Sequence, residues 1–436
     1  MKKPVKLGLV GVGTVGGGVI QMLQRNRSLI ETKVGAPVEI AMVCDKLMTP
    51  AAYKKLGLSA TFTRNADEVI LNPEIDIFVE LIGGYEPART FVLKALHAGK
   101  HVVTANKALL AKYWGDVFEH TRIYRRLVYF EASVGGGIPV IQALNEGLAG
   151  NRISKIIGIL NGTTNFVLTR MKKAGLDYAS ALKEAQQAGF AEADPTFDVE
   201  GIDAAHKIAI LASIASGTWV RLSDVVTEGI THLDSRDIEF VRKEFGYVIK
   251  LLGIARLTES SVEVRVHPAL IPETHPFANV ENEYNAVSIE GDAVGDVMLY
   301  GKGAGRMAAA SAVVSDITYL ARQVAAGTAG KLPYISGDHM RHLRAVPKAD
   351  MSSRFYLRFT VTDQPGVLAG ISGILSKLGI SISGVYQPEH SFKNVRGIPI
   401  MILTHATREG VIEKALKEIS RKPYIRSKTV LLRIEE

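Results

Sequence analysis

The apolar positions of this chain form short runs spaced by helical stretches. Residues 5–10 (VKLGLV), 39–44 (EIAMVC), 75–82 (IDIFVELI), 101–104 (HVVT) and 128–131 (VYFE) are such runs. Their length and mostly apolar make-up predict short buried strands. A helical period follows residue 16 to about residue 25, and another covers 87–98. Strands alternating with helices predict a doubly wound parallel sheet over residues 1–138, that is, an α/β class. From about Pro139 the pattern changes. Residues 153–160 and 262–270 predict strands of a second sheet, and 177–187, 203–216 and 237–251 predict helices. This gives an α+β region over residues 139–347. The Ala-rich stretch 305–326 also reads as a helix, placed to return to the first domain. Beyond a polar boundary near 348–353 lies a unit of about 80 residues, 354–436. Its order is strand (355–361), helix (366–378), strand (380–387), strand (398–405), helix (411–420) and strand (428–434). That βαββαβ order defines a ferredoxin-like fold.

The length of 436 residues implies two or three domains. Hydrophobic residues make up 47% and charged residues 22%, an ordinary soluble composition. The formal charge of +8 is dispersed, with clusters no longer than pairs such as Arg125–Arg126, so anionic small ligands are expected and nucleic acid is not. The single cysteine, Cys44, permits no internal disulfide and fits a reducing compartment, the cytoplasm. The N-terminal lysines before an apolar run mimic a signal peptide. That run is rich in glycine and lacks a cleavage site, so it is read otherwise. The most apolar later segment, 208–220, is too short to cross a bilayer, and no membrane association is expected.

Gly11-x-Gly13-x-x-Gly16 sits between a predicted strand and helix, enclosing Thr14 and Val15. In that context each glycine has its own mechanical reason. The first makes a tight turn, the second lets a pyrophosphate approach, and the third lets helix and strand pack. The helix N-terminus adds amides and positive potential. Asp45 closes the second strand and suits a ribose diol, hence NAD. Lys46 follows it and suits a 2′-phosphate, hence NADP. Both cofactors stay open. Ile82, Gly83 and Thr104 lie at the carboxyl edge of the same sheet and complete the expected cofactor surface. Lys107 follows them in Thr104-Ala105-Asn106-Lys107.

The stretch 184–207 gathers five acids (Glu192, Asp194, Asp198, Glu200, Asp203) and Lys207 ahead of an apolar helix. A carboxylate cluster suits a substrate ammonium, and a lysine at its edge suits proton transfer. Asp203 and Lys207 share one helix face. Alone, that is an i,i+4 ion pair worth about 0.3 kcal/mol.

The whole pattern Ala185-x-x-x-Gly189-Phe190-Ala191-x-x-Asp194-Pro195-x-x-Asp198-Val199-x-Gly201-x-Asp203-x-x-x-Lys207 resembles the signature of homoserine dehydrogenases. The resemblance extends to 104–107 (TANK), 131–139 (EASVGGGIP), 161–165 (NGTTN) and 301–305 (GKGAG). It implies the reversible reduction of L-aspartate 4-semialdehyde to L-homoserine with NADH or NADPH. By this resemblance Lys207 is the general acid, and Lys107 lies near nicotinamide and substrate. Glu192, Asp198 and Asp203 hold the substrate, an amino acid. Gly189 and Gly303 approach the cofactor. Residues 139–347 become the catalytic and dimerisation domain. Glu131, Val134, Gly136 and Ile138 resemble the family's monovalent-cation site, for sodium or potassium, and carbonyl-rich turns suit such a hard ion. The C-terminal unit resembles the ACT domain, carried by 359–368 (FTVTDQPGVL) and 379–382 (GISI). Asp363, Gly366, Val367 and Leu368 would then face an effector, expected to be L-threonine, and the chain would form a homodimer or homotetramer. No aspartate-kinase module is expected ahead of residue 8.

Two other readings are weaker. A semialdehyde dehydrogenase working through a thiohemiacetal needs a cysteine beside a base. Cys44 instead closes the strand where the adenosine ribose belongs. A nucleotide-bound sensor without activity would have little use for Lys207 and its acids.

Overall fold

The computed structural model describes residues 3–335, 343–388 and 397–436. Six parallel strands form the first sheet: β1 (Val5–Val10), β2 (Val38–Cys44), β3 (Thr61–Thr63), β4 (Ile77–Glu80), β5 (His101–Thr104) and β6 (Val128–Tyr129). Their order is β3-β2-β1-β4-β5-β6, so the strand order reverses between β1 and β4. Ligands bind at the carboxyl ends of strands at such a switch point. Helix α1 (Thr14–Arg25) starts there, as does α2 (Lys107–Tyr124) one strand further on. β6 is shorter than its apolar run, because Glu131–Ser133 turns as a 3-10 helix.

The second sheet is antiparallel: β7 (Ile153–Ile159), β9 (Tyr247–Leu257), β10 (Ser261–Pro272), β11 (Tyr284–Gly291) and β12 (Gly295–Lys302), with the short β8 (Val226–Thr227) pairing β10. Helices α3 (Gly162–Ala174) and α5 (Ile202–Ser216) cover it, and α4 (Tyr178–Gln187) packs on α3. Here a helix predicted over 237–251 is corrected. Helix α6 (Ser235–Phe245) stops at Gly246, which takes a left-handed φ of 66°. The chain then enters β9, paired along its length with β10 from Val262↔Leu257 to Pro272↔Tyr247. Glycine tolerates that conformation without a Cβ penalty and ends the helix.

Helix α7 (Arg306–Ala325) returns to the first domain, as its sequence suggested. Ala310, Val313, Ile317 and Leu320 share a core with Val5, Leu7, Leu9 and Val19. Gly18 makes this packing possible: a Cβ there would lie 3.0 Å from both Ala310 Cβ and the Arg306 carbonyl oxygen.

The C-terminal unit holds β13 (Ser352–Val361), α8 (Val367–Lys377), β14 (Ile382–Tyr386), β15 (Ile398–Thr404), α9 (Glu409–Ile419) and β16 (Val430–Ile434). The strand order is β16-β13-β15-β14. The unit is not self-contained. β16 pairs in parallel with β10 through Ala269↔Arg433 and Leu270↔Ile434, so the two sheets are continuous. One face of its sheet carries α8 and α9. The other meets α6, where Phe240 packs on Tyr386 at 5.2 Å and Asp237 receives buried Arg358 and Tyr356.

Candidate active site

The glycine turn after β1 has the geometry its spacing predicted. Gly11 sits at φ 96°, and a Cβ there would lie 2.7 Å from the Leu81 carbonyl oxygen. A Cβ on Gly16 would lie 2.1 Å from the Gly11 carbonyl oxygen, whereas Gly13 faces open space. Thr14 and Val15 open α1 beside it. Asp45 braces this turn from below. Its Oδ2 accepts the Val12 amide at 2.8 Å, and its Oδ1 accepts the Leu47 and Met48 amides at 2.8 and 2.9 Å. Lys46 is exposed next to it.

Glu80 carries no signal in the sequence beyond being an acid inside an apolar strand, yet it organises the next edge. Fully buried, it accepts the Ile82 and Gly83 amides at 2.9 and 3.1 Å and the Thr104 hydroxyl at 2.5 Å. Thr104 in turn accepts the Asn106 amide, and Asn106 caps α2 by accepting the Leu109 amide at 3.1 Å. Lys107 is therefore fixed at the first position of α2, aimed across the domain boundary.

The two domains meet at Asp203. Its carboxylate is buried on the first turn of α5 and faces two ammonium groups. Lys207 Nζ donates to Oδ2 at 2.7 Å, and Lys107 Nζ stands 2.5 Å from Oδ1, an ion-pair contact without a hydrogen bond's alignment. Asn161 Nδ2 donates to Oδ2 at 2.9 Å and also to Asp198 Oδ1 at 2.7 Å. Burial pushes the Asp203 carboxyl up, but Lys207 and Lys107 outweigh it and hold it well below the usual carboxylate range. Burial moves the Lys207 ammonium below its ordinary value, against the pull of Asp203. Lys207 also donates to the Leu160 carbonyl at 2.6 Å. Two of its three protons are thus committed, leaving one for a ligand.

Asn161 ends β7, caps α3 by accepting the Thr164 amide at 2.8 Å, and ties the two acids together. Thr163 shares its one hydroxyl proton between Asp198 Oδ2 at 3.0 Å and the Phe190 carbonyl at 2.6 Å. The sequence offered only a strand-to-helix cap here; the bridging role depends on Asp198 and Asp203 folding back onto it. Phe197 lies under Lys107, its ring centroid 5.5 Å from Nζ, with the buried His206 ring edge-on to it at 5.3 Å. Glu192 is not brought into this cluster. It is exposed, and among the described residues its carboxylate has no hydrogen-bond or ion-pair partner. Gly189, at φ 76°, leaves open space beside it.

A second junction lies where the chain crosses between domains. The Gly137 amide donates to the Lys302 carbonyl at 3.1 Å, and a Cβ on Gly136 would lie 2.5 Å from Gly303 backbone atoms. Glu131 turns its carboxylate to the Ile141 and Gln142 amides, both at 2.8 Å. Burial pushes that carboxyl up to about 7. The Ile138 carbonyl accepts the Val140 amide at 2.8 Å, whereas those of Val134 and Gly136 accept nothing among the described residues. No cluster of three metal-binding side chains exists among the described residues, so any ion here would rest on carbonyls. Cys44 is buried, its thiol pushed up to about 11 by burial and then by Asp45, which disarms it as a nucleophile.

In the C-terminal unit Asp363 and Gly366 are exposed at the start of α8, with Gly366 at φ 88°. Val367 is buried beneath them and Leu368 is 37% exposed, so only Leu368 of that pair can face a ligand. No described helix is long and apolar enough to cross a membrane.

Residues 139–318 match the family model described as homoserine dehydrogenase. Residues 11–131 match the NAD-binding domain of homoserine dehydrogenase, and 355–423 match the ACT domain. The chain is 43% identical to a homoserine dehydrogenase of Neisseria gonorrhoeae, over 99% of each protein. It is 44% identical to one from Pseudomonas aeruginosa, over 100% of this chain and 99% of that one. The crystal structure of a homoserine dehydrogenase from Thiobacillus denitrificans superposes with a TM-score of 0.94 at 42% identity, covering all of both chains. A hyperthermophilic archaeal homoserine dehydrogenase in complex with NADPH aligns with 72% of this chain and 97% of its own, at a TM-score of 0.61 and 25% identity.

Proposed function

Since the chain belongs to the homoserine dehydrogenase family, we propose how its residues share out the reversible reduction of L-aspartate 4-semialdehyde to L-homoserine. The dinucleotide, NADH or NADPH, supplies the hydride when bound. Lys207 gives a proton to the alkoxide oxygen that forms as the aldehyde carbon is reduced, and is left as a neutral amine. Lys107, on the opposite side of Asp203, stabilises the same developing charge. The observation that carries this reading is the pairing of two ammonium groups on one buried carboxylate. With two positive charges against one negative, that spot suits an oxyanion better than a substrate ammonium. Asp203 therefore orients the lysines, and Asp198 receives the substrate's ammonium, toward which Glu192 would have to swing from its exposed place on the loop before Asp198.

We infer finer assignments as well. Asp45 is braced by loop amides, and exposed Lys46 beside it is placed for a 2′-phosphate, a reading that favours NADPH. The Val134 and Gly136 carbonyls would hold a sodium or potassium ion, with Glu131 and Ile138 shaping the turn. Asp363, Gly366 and Leu368 would receive an amino-acid effector, L-threonine by its place as an end product. A homodimer or homotetramer in the cytoplasm is the expected form.

The test is dinucleotide reduction by L-homoserine, run with NAD and NADP, with and without L-threonine, in sodium or potassium salts. Lys207→Ala is expected to lower kcat by about 10²- to 10⁴-fold while NADPH still binds. Lys107→Ala should raise the homoserine KM and lower kcat less. Near-normal kcat in Lys207→Ala would remove it as the acid.

A further inference from the structure

The C-terminal unit reaches the substrate pocket through a line of short contacts. Arg433, on β16, is buried and forks between two acids. It holds Glu409 through Nε and, at 3.1 Å, through Nη2, and it donates to Glu228 Oε2 at 2.8 Å through Nη1. Glu228 follows β8, and its amide donates to the Val266 carbonyl on β10 at 2.8 Å. His232 Nε2 lies 3.2 Å from the other Glu228 oxygen. The next residues lie against the substrate turn with no slack. A Cβ on Gly229 would lie 2.3 Å from the Val199 carbonyl oxygen and 2.5 Å from Glu200 Cα. The Ile230 amide donates to Val199 O at 2.8 Å, and the Thr231 hydroxyl donates to Glu200 at 3.0 Å. Val199 and Glu200 directly follow Asp198, whose carboxylate is held by Asn161 and Thr163.

We propose that Arg433 and Glu228 are positioning residues for the substrate. Through the 228–231 segment they set the Asp198–Gly201 turn, and so the distance of the Asp198 carboxylate from the substrate ammonium. The inference rests on the assignment of Asp198 to that ammonium. A packed backbone contact such as Gly229 on Val199 transmits displacement, because neither side can yield into empty space. The Arg433 fork is bidentate on one side and charge-assisted on both, so it fixes direction as well as distance. Glu228 has no carboxylate-to-substrate contact in this scheme and takes no part in proton transfer.

The test compares Glu228→Gln with Asp198→Asn in the full chain, reading KM for L-homoserine, KM for NADP, kcat, melting temperature and amide hydrogen exchange of residues 196–203. Glu228→Gln keeps the side chain's shape and loses its charge. It is expected to raise the homoserine KM about fivefold or more and to speed exchange in 196–203, with the NADP KM unchanged. A merely structural brace would lower the melting temperature and leave the homoserine KM at the wild-type value, and that result overturns the proposal. An unchanged homoserine KM in Asp198→Asn would remove the substrate assignment and the proposal with it. A raised KM there beside a wild-type KM in Glu228→Gln would remove only the proposal. Should Glu228→Gln fail to fold, Thr231→Val severs the second tie at Glu200. It is expected to move the homoserine KM in the same direction by about twofold, and no movement counts against the proposal.

Discussion

Asp203 shows how a residue's type can be legible while its role is not. Four-residue spacing to Lys207 is visible in the sequence, and the pair does form. The third partner, Lys107, lies 96 positions away on another domain and carries no local signal linking it to Asp203. Asn161 is hidden in the same way. A clear pH consequence belongs at this scale. In the role proposed for it, Lys207 must carry its proton to reduce the aldehyde, and must lack it to accept one from homoserine. Its folded value lies below the 10.5 of a free lysine, because burial disfavours the ammonium. Aldehyde reduction should therefore fall as pH rises through that value, and homoserine oxidation should rise over the same interval. Profiles of kcat in both directions check this. Limbs that both bend the same way would assign the titration elsewhere.

Among elements, five of the six strands of the first domain were the easiest to read, because parallel strands are buried on both faces and stay apolar throughout, whereas the three-residue edge strand β3, half exposed and rich in threonine, carried no such run. The stretch 237–251 was the hardest. Its apolar residues fit a helical period, and only Gly246 marks the change to a strand. β11 and β12 were missed because their sequences alternate weakly, and β11 depends on the distant β7 for its second partner. The fingerprint turn was fully legible, since its glycines answer to backbone contacts inside one unit of structure. Gly16→Ala puts a methyl group 2.1 Å from the Gly11 carbonyl oxygen, so the helix must move off the strand. NADPH affinity is expected to fall at least tenfold in a fluorescence titration. Unaltered affinity would mean that α1 docks by some other contact.

At the level of the whole molecule the C-terminal unit read as a unit of its own beyond a polar boundary, and its element order was correct. Its joint with the catalytic sheet was not readable, because it depends on strands more than 160 positions apart. Removing residues 351–436 would open the edge of β10 at Ala269–Leu270 and bare the face of α6 that meets Tyr386. It would also strip Asp237 of Arg358 and Tyr356, and Arg265 of Ser353 and Glu435. Losing one partner of a buried pair costs about 3–5 kcal/mol, against a total stability of about 5–15 kcal/mol. The truncated chain is expected to be insoluble or largely unfolded by circular dichroism. A soluble, active fragment would show that the shared sheet adds little.

The chain crosses from the dinucleotide domain to the substrate domain near Gly136 and comes back near Gly303, and these two crossings touch through the Gly137–Lys302 hydrogen bond. The two crossings answer to each other at this joint. A side chain added at Gly136 would have to displace the Gly303 backbone, and with it the seat of α7 against the dinucleotide domain, so the spacing of the two domains cannot be reset by a change on one crossing alone.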